Sequence, residues 1–280
     1  IRSIRVITGN ISIFRTKSGY TNLDVFKTVD PKDSIKTSSP VLFSFEHVRL
    51  KDVKFLYYDS LKKKSIDLFF SDVTNQLSKT DSSTLLALVG RMDFGGMILN
   101  SEKGSYLKGQ SADVNFKLEY LSETRRLLIH PSSMKFKKSD VDLSGYFSFA
   151  APGNFVLNVG SGKLNYNEGL SLLTKSIQSR LDKYKVDKPI NINATIAGRL
   201  VPGAQPDVDI KFRVVNSNIS VGKMNARKVT LEGSFTNHFD DTQINSNQNS
   251  MLTLLRFKGI IRGLPTTLSA TIKNFNDPFI

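Results

Sequence analysis

The chain has no cysteine and no tryptophan among its 280 residues, and it has only three histidines. The lack of cysteine excludes disulfides, zinc–thiolate sites, iron–sulfur clusters and cysteine nucleophiles. No apolar run approaches the roughly 18 residues that a membrane-spanning helix needs. The chain begins at Ile1 without a signal-like segment. We therefore expect a piece of a longer chain whose membrane anchor lies outside these residues.

Positive charge is in excess, with 39 Lys and Arg against 25 Asp and Glu and a formal net charge of +14. This balance favours anionic partners such as membrane headgroups, nucleic acid or acidic polysaccharide, although a solubilising lysine coat has the same composition. The basic clusters at Lys62–Lys64, Arg125–Arg126 and Lys135–Lys138 are too short for a nucleic-acid-binding arm. We expect no nucleic-acid partner.

Apolar and polar residues alternate along most of the chain. Val114, Phe116, Leu118 and Tyr120 alternate with polar residues, as in a strand with one buried face. The same period of two recurs in further short segments: 53–57, 66–70, 147–149, 155–159, 190–196, 208–214, 229–231 and 268–272. Alternation of this kind is typical of antiparallel sheets, whereas strands covered on both faces are continuously apolar. The sequence predicts a mostly β fold: an elongated, curved antiparallel sheet, groove-like or sandwich-like.

One segment has the helical period. From residue 168 to 184, apolar residues recur every three or four positions, at Leu170, Leu173, Ile177, Leu181 and Tyr184. This spacing predicts one amphipathic helix over 168–184, between two strand-rich halves of a single continuous domain spanning 1–280. We expect a weaker helix or an irregular segment at Ser71–Val89. The polar stretches Lys32–Pro40 and Phe235–Ser250 are typical of long connections.

No catalytic, metal or cofactor site is predicted. His47, His130 and His238 are far apart and lack partners at metal-ligand spacing. The segment Gly160–Lys163 resembles a phosphate-binding loop, but it lacks the first glycine and the final hydroxyl of that motif, so we expect a hairpin turn there. The candidate carboxylate pairs are Asp207/Asp209 and Asp240/Asp241, which are more typical of turns or ion pairs. We therefore expect a protein that is not an enzyme.

Several phrases resemble AsmA-family envelope proteins, in particular Bacteroidetes-type members. The early strands Gly9–Phe14 and Tyr20–Phe26 are similar to that family, with Gly19-Tyr-Thr-Asn22-Leu23-Asp-Val25 matching a G-x-x-N-L-x-V phrase. Later segments that share the resemblance are Val48–Asp59, Leu170–Tyr184, Ile190–Gly198, Pro206–Phe212 and Asn274–Pro278. The resemblance covers nearly the whole chain, but its motifs are degenerate and none is catalytic.

The resemblance implies a bent, groove-forming sheet in the periplasm, anchored to the inner membrane by a segment not present here. It also implies a role in moving phospholipid toward the outer membrane or in maintaining that membrane. An apolar groove suits such a role because burial of acyl chains contributes about 0.8 kcal/mol per CH₂ group. Basic residues at the rim would suit anionic headgroups.

The candidate lipid-binding residues are those on the apolar face of the clearest strands. They are Phe55, Tyr57, Val114, Phe116, Leu118, Tyr120, Ile192, Ile196, Ile210 and Phe212. Two alternatives remain at this stage: a structural envelope scaffold with a closed core, and a carbohydrate-binding β protein. The absence of tryptophan counts against the second alternative, since sugar-binding sites expose aromatic side chains.

Overall fold

The computed structural model describes residues 3–23, 47–101, 104–201 and 203–277, and this part of the chain forms fifteen strands and two short helices. The strands of the first half are β1 (Ser3–Arg15), β2 (His47–Asp59), β3 (Lys64–Lys79), β4 (Ser83–Asn100), β5 (Gly104–Tyr106), β6 (Gln110–Leu121), β7 (Arg126–Lys135), β8 (Asp140–Ser148) and β9 (Asn154–Leu164). The helices α1 (Tyr166–Ser171) and α2 (Lys175–Leu181) follow. The remaining strands are β10 (Tyr184–Val186), β11 (Ile190–Arg199), β12 (Asp207–Val221), β13 (Met224–Thr236), β14 (Met251–Ile261) and β15 (Leu264–Lys273).

All the strands belong to one sheet. Thirteen of them form a continuous path in the order β1-β2-β3-β4-β6-β7-β8-β9-β11-β12-β13-β14-β15, while β5 pairs with β4 and β10 with β12. The neighbours on this path are antiparallel except β1 and β2, which are parallel. β1 and β15 lie at opposite edges, so the sheet does not close on itself. The mostly β, antiparallel fold predicted from the alternation is confirmed.

One face of the sheet is apolar across its width. Residues directly opposite each other on neighbouring strands place their side chains on the same face. A row of such partners crosses eight strands through Leu77, Leu86, Leu118, Ile129, Gly145, Leu157, Ile196 and Val208. A second row continues to the β15 edge through Ile210, Phe235, Leu252 and Ile272. We call this the inner face, because its central residues are the most buried.

Irregularities in the middle of the long strands bend the sheet. Thr8 and Asp52, both with a φ of 56°, occupy equivalent places on β1 and β2. As a result Leu50 and Val53, three residues apart, are both buried. Register shifts occur at similar depth in the β3–β4, β6–β7 and β12–β13 pairs. Such bulges bend a strand and increase its twist, which lets a single sheet curve around its own apolar face.

Most of the buried apolar residues among those described cluster in the first half, between β2 and β8. Val53 and Val73 are fully buried, and Val114 is 3% exposed. Leu164, at the end of β9, packs against this cluster, as do Leu107 and Leu172 from the segments that follow β5 and β9. The described strands provide no second sheet over the inner face, so curvature and these connecting segments account for the burial.

The predicted helix over 168–184 is present but divided. The Leu107 N–H donates to the Leu172 carbonyl at 3.0 Å, which takes that oxygen away from the helical ladder. Thr174, fully buried, then begins α2 as its N-cap residue. The Tyr166 hydroxyl donates to the Leu181 carbonyl at 2.7 Å and ties the two helices together. The tertiary contact of Leu172 therefore outweighs the local helical pattern, and Tyr184 lies in β10 rather than in a helix.

Two local predictions are wrong. Residues 71–89 lie almost entirely in β3 and β4, where Val73 packs in the core. Gly160–Lys163 lies inside β9 rather than in a turn. Gly160 pairs there with Asn193 of β11. The predicted connection at Lys32–Pro40 lies outside the described residues. Within the described ranges, no helix combines the length and apolar character needed to cross a bilayer.

Candidate functional site

The sequence-predicted candidates all lie on the inner face. Phe55 faces Leu68, Leu68 faces Phe94 and Phe94 faces Gln110, on the same side of β6 as Val114 and Phe116. Leu118 connects through the row described above to Ile196 and Val208, which place Ile192, Ile210 and Phe212 on this face as well. Tyr57 shares the face with Phe55, two residues away on β2. The structure thus brings ten residues from distant parts of the chain onto one surface.

These ten residues differ in exposure. Val114 is 3% exposed and belongs to the buried cluster, whereas Tyr120 on the same strand is 39% exposed. The other eight are partly buried: Phe55, Tyr57, Phe116, Leu118, Ile192, Ile196, Ile210 and Phe212. A closed core would bury all of them. The inner face is therefore closed by packing around Val114 and partly accessible to solvent on either side of it.

The strand ends form two long margins of the sheet. Because neighbouring strands are antiparallel, successive connections alternate between the margins. In the described part of the chain, the helix-side margin comprises the connections 60–63, 101, 104–109, 136–139, 165–189, 222–223 and 262–263. The far margin comprises 80–82, 122–125, 149–153, 200–201, 203–206 and 237–250. On the helix-side margin, Leu107, which follows β5, and Leu172, which lies between α1 and α2, pack against the buried cluster.

An aromatic cluster lies on the inner face beside the far margin. The Phe147 ring centroid is 5.6 Å from that of Phe155 and 6.5 Å from that of Phe149. Leu127 lies directly across the ladder from Phe147, and Tyr120 lies across from Leu127. Phe149 is 47% exposed, which is unusual for a phenylalanine whose neighbours are apolar. The alternation predicted Phe147, Phe149 and Phe155 as strand residues, but nothing local indicated that they meet.

One acid from each of the two acidic pairs seen in the sequence contacts the same histidine. His238 Nε2 is 3.0 Å from Asp209 Oδ2, and His238 Nδ1 is 3.7 Å from Asp241 Oδ1. Burial lowers the pKa of His238, but the hydrogen bond to Asp209, the charges of Asp209 and Asp207 and the hydrogen bond to Asp241 outweigh it, so the pKa is raised. This arrangement fastens the 237–250 connection to the start of β12. It is an ion-pair cluster on the far margin, away from the central apolar rows.

The other histidines are placed differently. His130 Nε2 is 2.9 Å from Glu119 Oε2, while His47 begins β2. The hydrogen bond from His130 is the largest contribution lowering the pKa of Glu119. Among the described residues, no group of three or more His, Asp or Glu side chains is arranged to hold a metal ion.

Two depressions are lined mainly by residues that lie outside the inner face. One has a volume of about 680 Å³ at the helix-side margin, with Lys223, Arg227, Arg262 and Asp187 in its lining. The other, of about 420 Å³, is lined by residues that include Lys54, Phe69, Asp93 and Ser111. Those four are direct partners on the outer face of β2, β3, β4 and β6. An open, curved sheet encloses little volume. The inner face is therefore better described by its continuous apolar rows than by these depressions.

Comparisons with known proteins assign this chain to no family. No family model matches the chain, and neither a curated protein nor a solved structure matches it. The geometry of the inner face and of its margins is therefore the basis for a functional assignment.

Proposed function

We propose that this chain is a non-catalytic envelope protein that binds phospholipid on its inner face and conducts it between the inner and outer membranes. The observation that carries the proposal is the continuity of the apolar rows across the sheet, with part of their length open to solvent. Acyl chains laid on these rows would leave water at a gain of about 0.8 kcal/mol per CH₂ group. The resemblance to AsmA-family proteins supports the same activity and a periplasmic location.

The partial exposure of the face is the main support for conduction over simple storage. Leu118, Leu157 and Ile196 lie in one row of cross-strand partners, with Ile129 and Gly145 between the first two, and each of the three is only partly buried. A lipid moving along this row would exchange one set of apolar contacts for an equivalent set on the next strands. Such a surface offers many binding positions of similar affinity and no single tight site for the lipid, which suits transfer along its length.

A structural scaffold is the second candidate. The buried cluster around Val53, Val73 and Val114, closed by Leu107 and Leu172, has the packing of an ordinary protein core. In that case the inner face would serve the fold alone, and lipid would not occupy it. The two candidates differ in whether the open rows contact lipid.

Site-specific photo-crosslinking tests the proposal. A photoreactive amino acid at Leu118 reports on the inner face, and one at Lys117 is the matched control, because adjacent residues of a strand face opposite sides. The protein should be purified from cells without detergent, irradiated and analysed by mass spectrometry. We expect phospholipid adducts at position 118 and few at position 117. Equal labelling at both positions, or none in a protein that also extracts no lipid, would favour the scaffold.

A further inference from the structure

The two margins of the sheet carry opposite charge. The described residues of the helix-side connections contain twelve Lys and Arg against three Asp and Glu. The bases are Lys62, Lys63, Lys108, Lys137, Lys138, Lys175, Arg180, Lys183, Lys185, Lys188, Lys223 and Arg262. The far-margin connections contain one base, Arg125, against four acids, Asp81, Glu123, Asp240 and Asp241. The excess positive charge of the chain is therefore concentrated along one side of the apolar face.

The bases of the helix-side margin are free for an external partner, apart from Lys183, whose ammonium lies 5.3 Å from the centroid of the Tyr184 ring. All twelve are exposed. None of them takes part in the ion pairs that the described residues form, which join Arg49 to Asp72, Lys54 to Asp67, Arg91 to Asp113, and two histidines to carboxylates.

The acids of the same margin are partly committed to internal contacts. The Glu168 carboxylate accepts the Lys138 backbone N–H at 3.0 Å, and the Asp187 carboxylate accepts the Asn218 amide at 3.0 Å. Unpaired bases in a row, with few acids to neutralise them, attract anions. A solubilising coat would be spread over both margins, so the asymmetry indicates a directional role.

We infer that the helix-side margin is the headgroup side of the site, and that the lipids it selects carry a net negative charge. This inference rests on the proposed function, since it assigns an orientation and a chemical class to the same ligand. The acyl chains would lie on the inner face while the phosphate remains in water beside the exposed lysines. The bases recur in connections from β2 to β15, so a headgroup displaced from one connection meets the next.

The experiment compares an anionic with a zwitterionic lipid. Purified protein is incubated with vesicles of phosphatidylglycerol, of phosphatidylcholine and of an equal mixture, separated from them, and analysed for bound lipid by native mass spectrometry. In the margin variant, Lys62, Lys137, Lys223 and Arg262 are each replaced by Glu. The matched control replaces Lys79, Lys117, Arg199 and Lys211, four exposed bases outside the helix-side margin, by Glu. Both variants change the net charge equally.

We expect the wild-type protein to take up phosphatidylglycerol in preference to phosphatidylcholine. In the margin variant, the ratio of bound phosphatidylglycerol to bound phosphatidylcholine should be at least about tenfold lower, because each base near an anionic surface contributes roughly fivefold in affinity. The control variant should keep most of it, and raising the salt concentration should weaken the preference of the wild type. A second margin variant, with Gln at the same four positions, tests loss of charge without repulsion. Near-UV circular dichroism checks that each variant is folded.

The outcomes separate the two proposals. If the wild type takes up neither lipid, the proposed function fails. If it takes up both equally, or if margin and control variants lose the preference to the same extent, lipid binding stands and the charge assignment is overturned. Attachment to phosphatidylglycerol vesicles without extraction of lipid would instead make the margin a membrane-docking surface, which also overturns the inference.

Discussion

His238 Nε2 donates to the Asp209 carboxylate at 3.0 Å, and this contact fastens the 237–250 connection to the first residues of β12. The fully buried Asn249 holds the same connection in shape, because its side-chain amide donates to the Asp240 carbonyl at 2.8 Å. A polar connection is thus ordered by a few specific hydrogen bonds. The bond between His238 and Asp209 is ionic when the histidine is protonated, so its strength depends on pH.

This dependence has a defined sign. The pKa of His238 is raised in the folded protein above its ordinary value, so its stabilising contribution is complete below the unfolded-state pKa of about 6.5 and is lost as pH rises through the folded value. We expect His238→Gln to lower the melting temperature more at pH 5.5 than at pH 8.5. Asp209→Asn should do the same. Asp241→Asn, which alters a 95% exposed carboxylate 3.7 Å away, should have a smaller effect. Equal losses at both pH values would contradict the assignment.

Two glycines inside strands should resist substitution. Gly90 on β4 has a φ of 148°, and a Cβ there would overlap the backbone carbonyl oxygen of Asp72 on β3. Gly145 on β8 has a φ of 144°, and its Cβ would overlap the Val156 carbonyl oxygen. We expect Gly90→Ala or Gly145→Ala to cost about 2–4 kcal/mol in free energy of unfolding, since both backbone strain and overpacking contribute. Urea denaturation measures the loss.

Gly162 provides the control for that substitution. It also lies inside a strand, β9, but a Cβ there would meet no atom within 4 Å and its φ is not positive. Gly162→Ala should change the free energy of unfolding by no more than about 0.5 kcal/mol. A comparable loss at all three glycines would mean that strand glycines are sensitive for a general reason, and the close-approach argument would fail.

Leu172 should couple the helices to the buried cluster. Its side chain packs against the cluster and its carbonyl accepts the Leu107 N–H at 3.0 Å. Leu172→Ala is expected to cost about 2–4 kcal/mol. Leu173 is the neighbouring control, since it is partly buried and does not belong to the cluster. Hydrogen exchange should show faster exchange at the Leu107 amide in Leu172→Ala but not in Leu173→Ala.

The strand content and the composition of the inner face could be predicted from sequence because side-chain alternation is a local property. Val114, Phe116 and Leu118 share a face whatever their partners are. The bulges could not be predicted, since Asp52 takes a positive φ only in the context of its neighbour β1. For the same reason the sequence did not separate Val114, deep in the core, from Leu118, and did not show that α1 and α2 part where Leu172 meets Leu107.

The margin charges were visible in sequence as short basic clusters, but their arrangement was not. Lys62 and Arg262 are 200 positions apart, and they share a margin only because each lies in a connection at the same ends of antiparallel strands. The same holds for Asp209 and Asp241, which the sequence presented as members of separate acidic pairs. Which residues meet in this way depends on the pairing of strands that are distant in the chain. That pairing could not be read from a single sequence.

Charge placed at two positions of β6 distinguishes the open part of the inner face from its core. Leu118 is partly buried, so the carboxylate of Leu118→Glu reaches water and the melting temperature should fall only slightly. Val114 is 3% exposed, so Val114→Glu buries an unpaired charge and should cost about 3 kcal/mol or more. Lys117→Glu, on the outer face, controls for the change in net charge.

Lipid content must be measured on the same three variants by extraction and mass spectrometry. In Leu118→Glu, bound lipid should fall several-fold although the fold is retained, because the carboxylate lies where acyl chains would pass. In Lys117→Glu, both lipid content and melting temperature should match the wild type. If Leu118→Glu unfolds like Val114→Glu, the row through Leu118 is a closed core and the scaffold is favoured. If Leu118→Glu folds and carries normal lipid, the row is open but lipid does not lie on it, and the conduction proposal fails.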